Sequence, residues 1–438
     1  MKSHFSLLIL LASFNIATSQ EAPLQNYRQN SKAGLNIFET PKNEYEYFDG
    51  LKVRIGGNFT QDYQGFNHEN SAAVVLVDSV NINKLIPIKD GFNRAMANLN
   101  VDAQLADGIR IAITMYLSSR SHPEAWVKGG YIQFDKLSFL NSDGIDSLMR
   151  NVTIKIGDYE VDYGDQHYRR TDGGNAIYNP FVENYIMDEF TTEIGGDIIF
   201  HPKSGVIVSL GITNGQLDPT VVAPTKIDSA TGKVNKYLAA FHGKLGYDKQ
   251  INPDVRLRLT GSFYMDKSAE DNTLFFGDRA GSHYFQVLEN PIMGQFVKSS
   301  SGRFDPDFTQ EVSTFMINPF IKYRGIELFG TYEIAKGRKI NEVDKRDATQ
   351  LAVDLILRFP KTEKFWIGGR YNAVTSDLPL VPQEVTINRV AGSLGWFITD
   401  NIMAKAEYVS QVYNDFPVTD IRSGGKFSGF MIEASVGF

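Results

Sequence analysis

The sequence contains no cysteine among its 438 residues. This absence excludes disulfides, a cysteine nucleophile, thiolate ligands for a metal and a lipid anchor on an N-terminal cysteine. An exported chain of this composition must therefore derive its stability from packing and hydrogen bonding. Tryptophan is also scarce, with three residues, whereas tyrosine and phenylalanine number 20 and 30.

Long apolar runs are missing after the first 20 residues, and the mean hydropathy is slightly negative, at −0.23. A transmembrane helix needs roughly 17 or more consecutive apolar residues, so none is predicted. By length alone the chain could form two or three soluble domains. Membrane β-barrels show the same average hydropathy, because each strand alternates apolar side chains toward lipid with polar side chains toward the lumen.

The chain has fewer basic than acidic residues, with 44 Lys and Arg against 51 Asp and Glu, and its formal net charge is −7. A nucleic-acid partner is therefore not expected. The nucleophile elbow of hydrolases, the phosphate loop and the His-Glu-x-x-His motif are missing, and the seven histidines are scattered singly. The sequence thus predicts no enzyme, no cofactor and no metal site.

Residues 1–19 have the pattern of a secretory signal peptide. Lys2 supplies the positive start, Phe5 to Phe14 the short apolar core, and Ala17-Thr18-Ser19 the small residues before cleavage at Gln20. The alternative, a membrane anchor, requires a longer apolar run. Polar residues 20–50 lack periodicity and are predicted to form a periplasmic extension, so that residues 51–438 form the folded domain.

Alternation with a period of two dominates from Leu51 onward and predicts strands. Leu51, Val53 and Ile55 share one face, whereas Lys52 and Arg54 share the other. A charged face cannot contact lipid, so it must face a lumen. Sixteen strands are predicted, at 51–60, 95–105, 108–118, 127–137, 151–158, 191–201, 205–214, 237–247, 254–265, 312–323, 326–336, 348–359, 364–373, 386–398, 401–411 and 428–438.

The connections between these strands alternate between short and long. Short ones carry turn residues, as in Asp107-Gly108, Asn252-Pro253-Asp254 and Arg324-Gly325. Long ones intervene at 61–94, 159–190, 215–236 and 266–311, and one exception, 137–150, is long enough for a short helix. The pattern predicts an all-β fold, a 16-stranded antiparallel transmembrane β-barrel with short periplasmic turns and long extracellular loops.

The last strand ends in alternating apolar residues and a terminal Phe438. An aromatic C-terminus resembles the signal by which the outer-membrane barrel assembly machinery binds its clients, although a buried strand could also end in phenylalanine. With the export signal, this ending predicts a bacterial outer-membrane location.

Several local motifs stand out, at 154–159, 165–170 and 179–182, at the pair Tyr408-Val409 and at Tyr413. These motifs resemble those of outer-membrane porins of the Bacteroidota and, more distantly, of the phosphate-selective porin group. The resemblance implies a general porin, a homotrimer, in contact with outer-membrane lipid and lipopolysaccharide. It does not reach the phosphate-binding Lys and Arg positions of that group, so phosphate selectivity is not carried over.

The alternation of side chains along the strands places charges of both signs on the lumen wall, with a small excess of basic residues. One interpretation is structural pairing between neighbouring strands, and the other is a weak anion preference. The acids are Asp102, Asp135, Glu193, Asp197, Glu327, Glu333, Asp354, Glu407 and Glu433. The basic residues are Lys52, Arg54, Arg110, Lys155, Lys244, Arg256, Arg258, Lys322, Arg358, Arg370, Arg389 and Lys405.

Counted in chain order with the shorter connection 119–126, residues 159–190 form the third extracellular loop and residues 266–311 the fifth. The third loop is predicted to fold into the barrel and narrow it, the alternative being an outer loop that caps a trimer. The predicted constriction consists of Asp162, Asp165, Tyr168, Arg169 and Arg170. The two arginines are expected to face wall acids or the passing solute. The acids at 158, 160, 162 and 165 could bind a divalent cation, but they lack the spacing of a calcium loop.

Two functions remain open at this stage. The first is passive diffusion of small hydrophilic solutes, since a barrel of about sixteen strands leaves an aqueous channel. The second is a plugged barrel that transports a specific apolar ligand or serves as an adhesin, against which the 20–50 segment is short and polar. Planar-bilayer conductance separates the two functions.

The first testable prediction concerns the topology, and the cysteine-free chain makes it easy to test. We expect Ser229→Cys and Asp271→Cys, both in long loops, to react with an impermeant thiol reagent on intact cells. Asn401→Cys, in a short turn, should react only after the outer membrane is opened. The reverse labelling pattern would falsify the orientation.

Overall fold

The computed structural model describes residues 24–40, 42, 47–118, 124–269, 271–290 and 301–438, so the predicted signal peptide lies outside the described residues. The main element is a closed antiparallel barrel of sixteen strands, which confirms the predicted fold class. The strands are β1 (Lys52–Glu69), β2 (Met96–Ala106), β3 (Ile109–Ser118), β4 (Glu124–Phe134), β5 (Val152–Glu160), β6 (Thr192–Phe200), β7 (Val206–Thr213), β8 (Ala240–Asn252), β9 (Val255–Asp266), β10 (Glu311–Tyr323), β11 (Ile326–Arg338), β12 (Arg346–Phe359), β13 (Phe365–Ser376), β14 (Val385–Phe397), β15 (Ile402–Asn414) and β16 (Lys426–Gly437).

The barrel closes where β1 pairs with β16. Their register runs from Asn58 opposite Gly437 to Glu69 opposite Lys426. On its other side β1 pairs with β2, from Lys52 opposite Gln104 onward. Closure is required because lipid offers no hydrogen-bonding partner to an open strand edge.

Shorter elements lie in the connections. The long turn after β4 holds a helix, α1 (Asp143–Met149), as the length of that connection predicted. Within the described part of the chain, no helix is both long and apolar enough to cross a membrane. The remaining elements are two-residue strands at Leu76–Val77, Val80–Asn81, Gly91–Phe92, Ile227–Asp228 and Lys233–Val234, and 3-10 turns at Lys32–Gly34, Ser138–Leu140 and Gln166–Tyr168.

The faces of the strands follow the predicted parity. In β12, Leu355 is 54% exposed on the outside, whereas the neighbouring Asp354 is 1% exposed and faces the lumen. At the end with the short turns, Phe359, Phe365 and Trp396 stack on the outer face, with ring centroids 6.1 and 5.8 Å apart. Such a row of aromatic side chains is typical of the membrane interface in outer-membrane barrels.

Strand limits differ from the prediction at a few places, each with a local cause. β1 continues to Glu69 because residues 61–69 pair with β16. β4 lies three residues earlier than predicted, since the Asp135 backbone N–H already donates to Gly108 O in the turn at 2.7 Å. β8 extends to Asn252 through an irregularity at residues 250–252, where the sequence has no alternation.

Three segments fill much of the lumen. The N-terminal segment, residues 24–40, enters from the short-turn end, where the Lys32 N–H donates to Asp400 O at 2.7 Å. The third loop, residues 161–191, and the described part of the fifth loop, residues 271–290 and 301–310, enter from the long-loop end. Most side chains of the third loop are buried against the wall.

The second prediction tests the outer face. Leu355 lies on it between the two ends of β12, and placing a charge there exposes it to hydrocarbon. Leu355→Arg should lower the free energy of unfolding by about 2–4 kcal/mol. Leu380→Arg, in an exposed loop, is the matched control and should leave stability unchanged. Urea unfolding in lipid vesicles measures both, and equal stabilities would contradict a lipid-facing Leu355.

Candidate functional site

Hydrogen bonds from the backbone N–H groups of the third loop to wall side chains hold the loop against one side of the barrel. Lumen-facing side chains of β9, β10, β12, β13 and β15 accept its N–H groups, so the loop cannot swing freely. The bonds run from Gly164 N to Ser262 Oγ (2.9 Å), Asp165 N to Asn318 Oδ1 (2.9 Å), Val182 N to Glu407 Oε2 (2.8 Å), Ile186 N to Asn372 Oδ1 (2.6 Å) and Met187 N to Gln350 Oε1 (2.9 Å).

Asp162 and Asp165, two of the predicted constriction residues, anchor the loop to wall cations. Lys244 Nζ lies 2.5 Å from Asp162 Oδ1 and 3.2 Å from Asp165 Oδ1. Arg258 donates two hydrogen bonds of 2.7 Å to the Asp165 carboxylate. Burial raises the pKa of Asp165, but Arg258 and Lys244 outweigh burial and hold that pKa below its usual range. These acids are therefore charged, paired and removed from the passage.

Arg169 and Arg170 are buried in ion pairs and do not face a solute. Arg169 faces the wall acid Glu327 at 3.3 Å, and its guanidinium lies over the Phe320 and Phe329 rings. Arg170 donates to Asp188 of the same loop at 3.0 and 2.6 Å. The space beside the two arginines is about 10 Å³, which is about the minimum for one water molecule. Arg169 therefore faces a wall acid, which is one of the two predicted roles. Neither arginine is placed to face a passing solute, which is the other predicted role.

A cavity of about 280 Å³ lies on the opposite side of the third loop, against β1 to β6. Its lining is mostly polar, and Tyr168 is the predicted constriction residue that reaches it. The wall contributes Asn58, Asn98, Asn100, Asp102, Arg110, Thr114, Lys128, Tyr131, Lys155, Asp158, Tyr159, Glu160 and Thr192, and the third loop contributes His167, Tyr168, Asp172, Asn175 and Tyr178.

The N-terminal segment also contributes to the lining of this cavity. Tyr27, Arg28, Asn30 and Thr40 border the cavity. Arg28 donates to the Tyr168 carbonyl oxygen at 2.8 Å, and its guanidinium lies 3.7 Å from the centre of the Tyr178 ring. The segment predicted as a periplasmic extension is thus, over residues 24–40, a part of the lumen lining. Its polar sequence has no periodicity that could have revealed this position.

The predicted basic residues of the wall divide into two groups. Arg110 and Lys155 border the cavity, and Arg54 lies beside it over the Tyr27 ring. The others hold the inserted segments or neighbouring wall acids, which favours the structural interpretation for them. Arg256 pairs with Asp248, Arg258 with Glu39 and Asp165, Arg358 with Glu327, and Arg370 with Asp354, while Arg389 donates to Gln411 and to the Asn184 carbonyl oxygen.

The charges along the cavity are only partly compensated. Arg110 pairs with Asp102 at 2.6 Å, and Lys128 pairs with Asp172 of the third loop. Lys155 and Arg28 face the cavity without an ion-pair partner among the residues described here, and the same is true of the acid Asp158. Lys128 was missed in the sequence because the pairing of β3 with β4 is irregular there. Thr114 pairs with Gly129 and Met115 with Val127, so residue 128 is skipped and Lys128 faces inward against the alternation that places Gln133 and Asp135 inward.

A second depression of about 900 Å³ opens at the short-turn end beside β8, β9, β10 and β12. Leu35 and Asn36 of the N-terminal segment form part of its lining, together with Arg256, Lys322 and Arg358. The N-terminal segment therefore borders both spaces, and it contributes polar side chains to each.

Known structures share this fold at low sequence identity. The chain matches the outer-membrane channel DcaP of Acinetobacter baumannii with a TM-score of 0.52 and 11% identity, over 90% of this chain and 99% of the other. It matches OmpT, an outer-membrane protein of Vibrio cholerae, with 0.51 and 12% over 90% and 100%. An anion-selective porin from Comamonas acidovorans gives 0.51 and 6% over 89% and 100%.

No protein-family model matches the sequence, and no curated protein matches it significantly. The structural matches establish the fold. A closed sixteen-stranded barrel with an apolar outer face is the architecture of bacterial outer-membrane proteins, and it places the chain in the outer membrane.

The third prediction concerns Arg170, whose removal leaves the buried carboxylate of Asp188 without its bidentate partner. Arg170→Ala should lower the free energy of unfolding by about 3–5 kcal/mol. Arg324→Ala removes an exposed pair with Asp254 and should change stability little. Urea unfolding followed by tryptophan fluorescence compares the two variants. Equal losses would show that Arg170 is not a structural anchor.

Proposed function

We propose that the chain is a porin-like channel through which small hydrophilic solutes diffuse. The observation that carries the proposal is the polar cavity between the third loop and β1 to β6. Its walls offer hydrogen-bonding groups and charges of both signs, which suit hydrated solutes. No catalytic arrangement is needed for this function, and we infer that the protein is not an enzyme.

We further propose a weak preference for anions. Arg28 and Lys155 lie along the cavity without carboxylate partners among the described residues, whereas the charges of Arg110 and Lys128 are offset by Asp102 and Asp172. An unpaired fixed charge affects a passing ion more than a paired one does. In this proposal the anion preference depends on Lys155 of the wall and Arg28 of the N-terminal segment, and not on Arg169 and Arg170 of the third loop.

A more selective channel is the second candidate, because three segments of the chain occupy the lumen. Residues 24–40, the third loop and the fifth loop leave a cavity of about 280 Å³, close to the size range of small-molecule binding pockets. Such a space would accommodate one solute at a time. Its polar lining favours a hydrophilic solute over the apolar ligand considered from the sequence.

We also infer a homotrimer, delivered by the barrel assembly machinery and surrounded by lipid and lipopolysaccharide, within the porins of the Bacteroidota. One support is that OmpT of Vibrio cholerae has been solved in a trimer form, with a TM-score of 0.51 to this chain. The terminal Phe438 and the motifs near the third loop support the rest.

Planar-bilayer recording tests the channel itself. An open porin should produce stepwise currents from the purified wild-type protein, whereas a barrel closed by its inserted segments should produce none. Failure to observe any unitary current with a protein that is demonstrably folded would overturn the diffusion channel.

The fourth prediction concerns selectivity. Lys155→Gln should lower the anion-to-cation permeability ratio by roughly three- to tenfold. A unit charge roughly 6 Å from an ion in water attracts an anion and repels a cation by about 0.7 kcal/mol each, and salt screening reduces both values. Asp158→Asn should raise the ratio. Lys136→Gln, in an exposed turn ion pair with Asp107, is the control and should not change it. Reversal potentials in a salt gradient measure the ratio, and equal values for Lys155→Gln and the control would refute the assignment.

A further inference from the structure

Three side chains of types that can bind metal ions lie close together at the seam where the barrel closes, apart from the cavity. Asp62 of β1 and Glu433 of β16 are direct cross-strand partners, and both face the lumen. His283 of the fifth loop reaches them from inside. One ligand atom from each residue lies within 4.8 Å of the others, and all three residues are buried.

The two carboxylates at this seam favour a cation close to both of them. Two carboxylates placed opposite each other on neighbouring strands repel. Lys405 of β15 offsets part of this charge, with its Nζ 2.7 Å from Glu433 Oε1. Burial strengthens this repulsion, and a cation close to both carboxylates lowers it. A proton on His283 and a bound metal ion are the two ways in which this group of side chains can supply that cation.

The spacing of the ligand atoms fits a metal ion. His283 Nδ1 lies 2.9 Å from Asp62 Oδ2 and 3.1 Å from Glu433 Oε2. Zinc bonds to nitrogen and oxygen of roughly 2.0–2.1 Å place tetrahedral ligands about 3.3 Å apart. A single N–H on Nδ1 cannot serve both carboxylates well, and the buried Glu433 Oε2 has no hydrogen-bond partner in the described part of the chain.

Hydrogen bonds to its backbone fix the position of His283. Its backbone N–H donates to Glu183 Oε2 at 2.6 Å, and its carbonyl oxygen accepts from Asn93 Nδ2 at 3.0 Å. The Asn93 N–H in turn donates to the Asp62 carbonyl oxygen at 2.9 Å. Such supporting bonds hold metal ligands in place in known sites.

We propose that Asp62, His283 and Glu433 bind a divalent transition-metal ion of the zinc type. One imidazole nitrogen with two carboxylates is a ligand set that zinc accepts, with a further position for water. Such an ion would join the fifth loop to β1 and β16 and fix the loop inside the lumen. Its role is structural, and it is separate from the proposed solute passage.

The fifth prediction is tested with untagged protein refolded with zinc sulfate and then passed over a desalting column. Elemental analysis should find about one zinc per chain. His283→Gln and Asp62→Asn should each weaken zinc binding by roughly tenfold or more. Cobalt in place of zinc should give a visible absorption spectrum in the wild type that both variants lack.

His242→Gln is the matched control. His242 also lies buried against a carboxylate, with Nε2 2.6 Å from Asp197 Oδ1, but outside the proposed site. This variant should keep the full zinc content. Gel mobility before and after heating shows whether each variant forms a barrel, so loss of metal is scored only on folded protein.

The competing arrangement is a protonated His283 between the two carboxylates. It predicts that folded wild-type protein retains no more zinc than folded His283→Gln, and that result would overturn the metal site. Equal zinc in the wild type and both ligand variants would also overturn it. Zinc content is measured without any current, so this outcome is independent of the channel's conductance.

Discussion

Closure of β1 onto β16 is the constraint on which the rest of the structure depends. In lipid every backbone N–H and C=O of a strand must find its partner within the protein, and only a closed barrel satisfies both edges of every strand. The register from Asn58 opposite Gly437 to Glu69 opposite Lys426 provides this closure. Once it exists, every second side chain must face lipid and the remainder must face the lumen.

The polar inner face then determines where the inserted segments pack. A wall charge such as Arg258 is not offset by its strand neighbours alone, and Glu39 of the N-terminal segment and Asp165 of the third loop both pair with it. Glu327 similarly pairs with Arg358 of the next strand and with Arg169 of the third loop. These pairs hold the inserted segments against β9, β11 and β12, and the cavity lies on the side of β1 to β6.

The same pairing distinguishes the charges that hold the inserted segments from those that remain along the cavity. Arg169 and Arg170 lie in the third loop, but each is neutralised by a carboxylate. Arg169 pairs with Glu327 of the wall and Arg170 with Asp188 of the same loop, so both ion pairs hold the loop in place. Lys155 has an ordinary wall position, but no inserted carboxylate reaches it among the described residues, and its charge remains available to the cavity. At the seam, the carboxylates of Asp62 and Glu433 both lie close to His283 of the fifth loop.

The sequence by itself determined the strands, their inward and outward faces, and the order of short turns and long loops. These features depend on period-two alternation and on turn residues, which act between near neighbours and can be read along the chain. Only the tertiary structure decided which wall charges are neutralised and where the cavity lies. The contacts that decide this join residues far apart in sequence, such as Arg28 with Tyr168 or Asp62 with His283. Their pairing depends on barrel closure and on the path of the inserted segments, because no local pattern encodes which distant charge will come within reach.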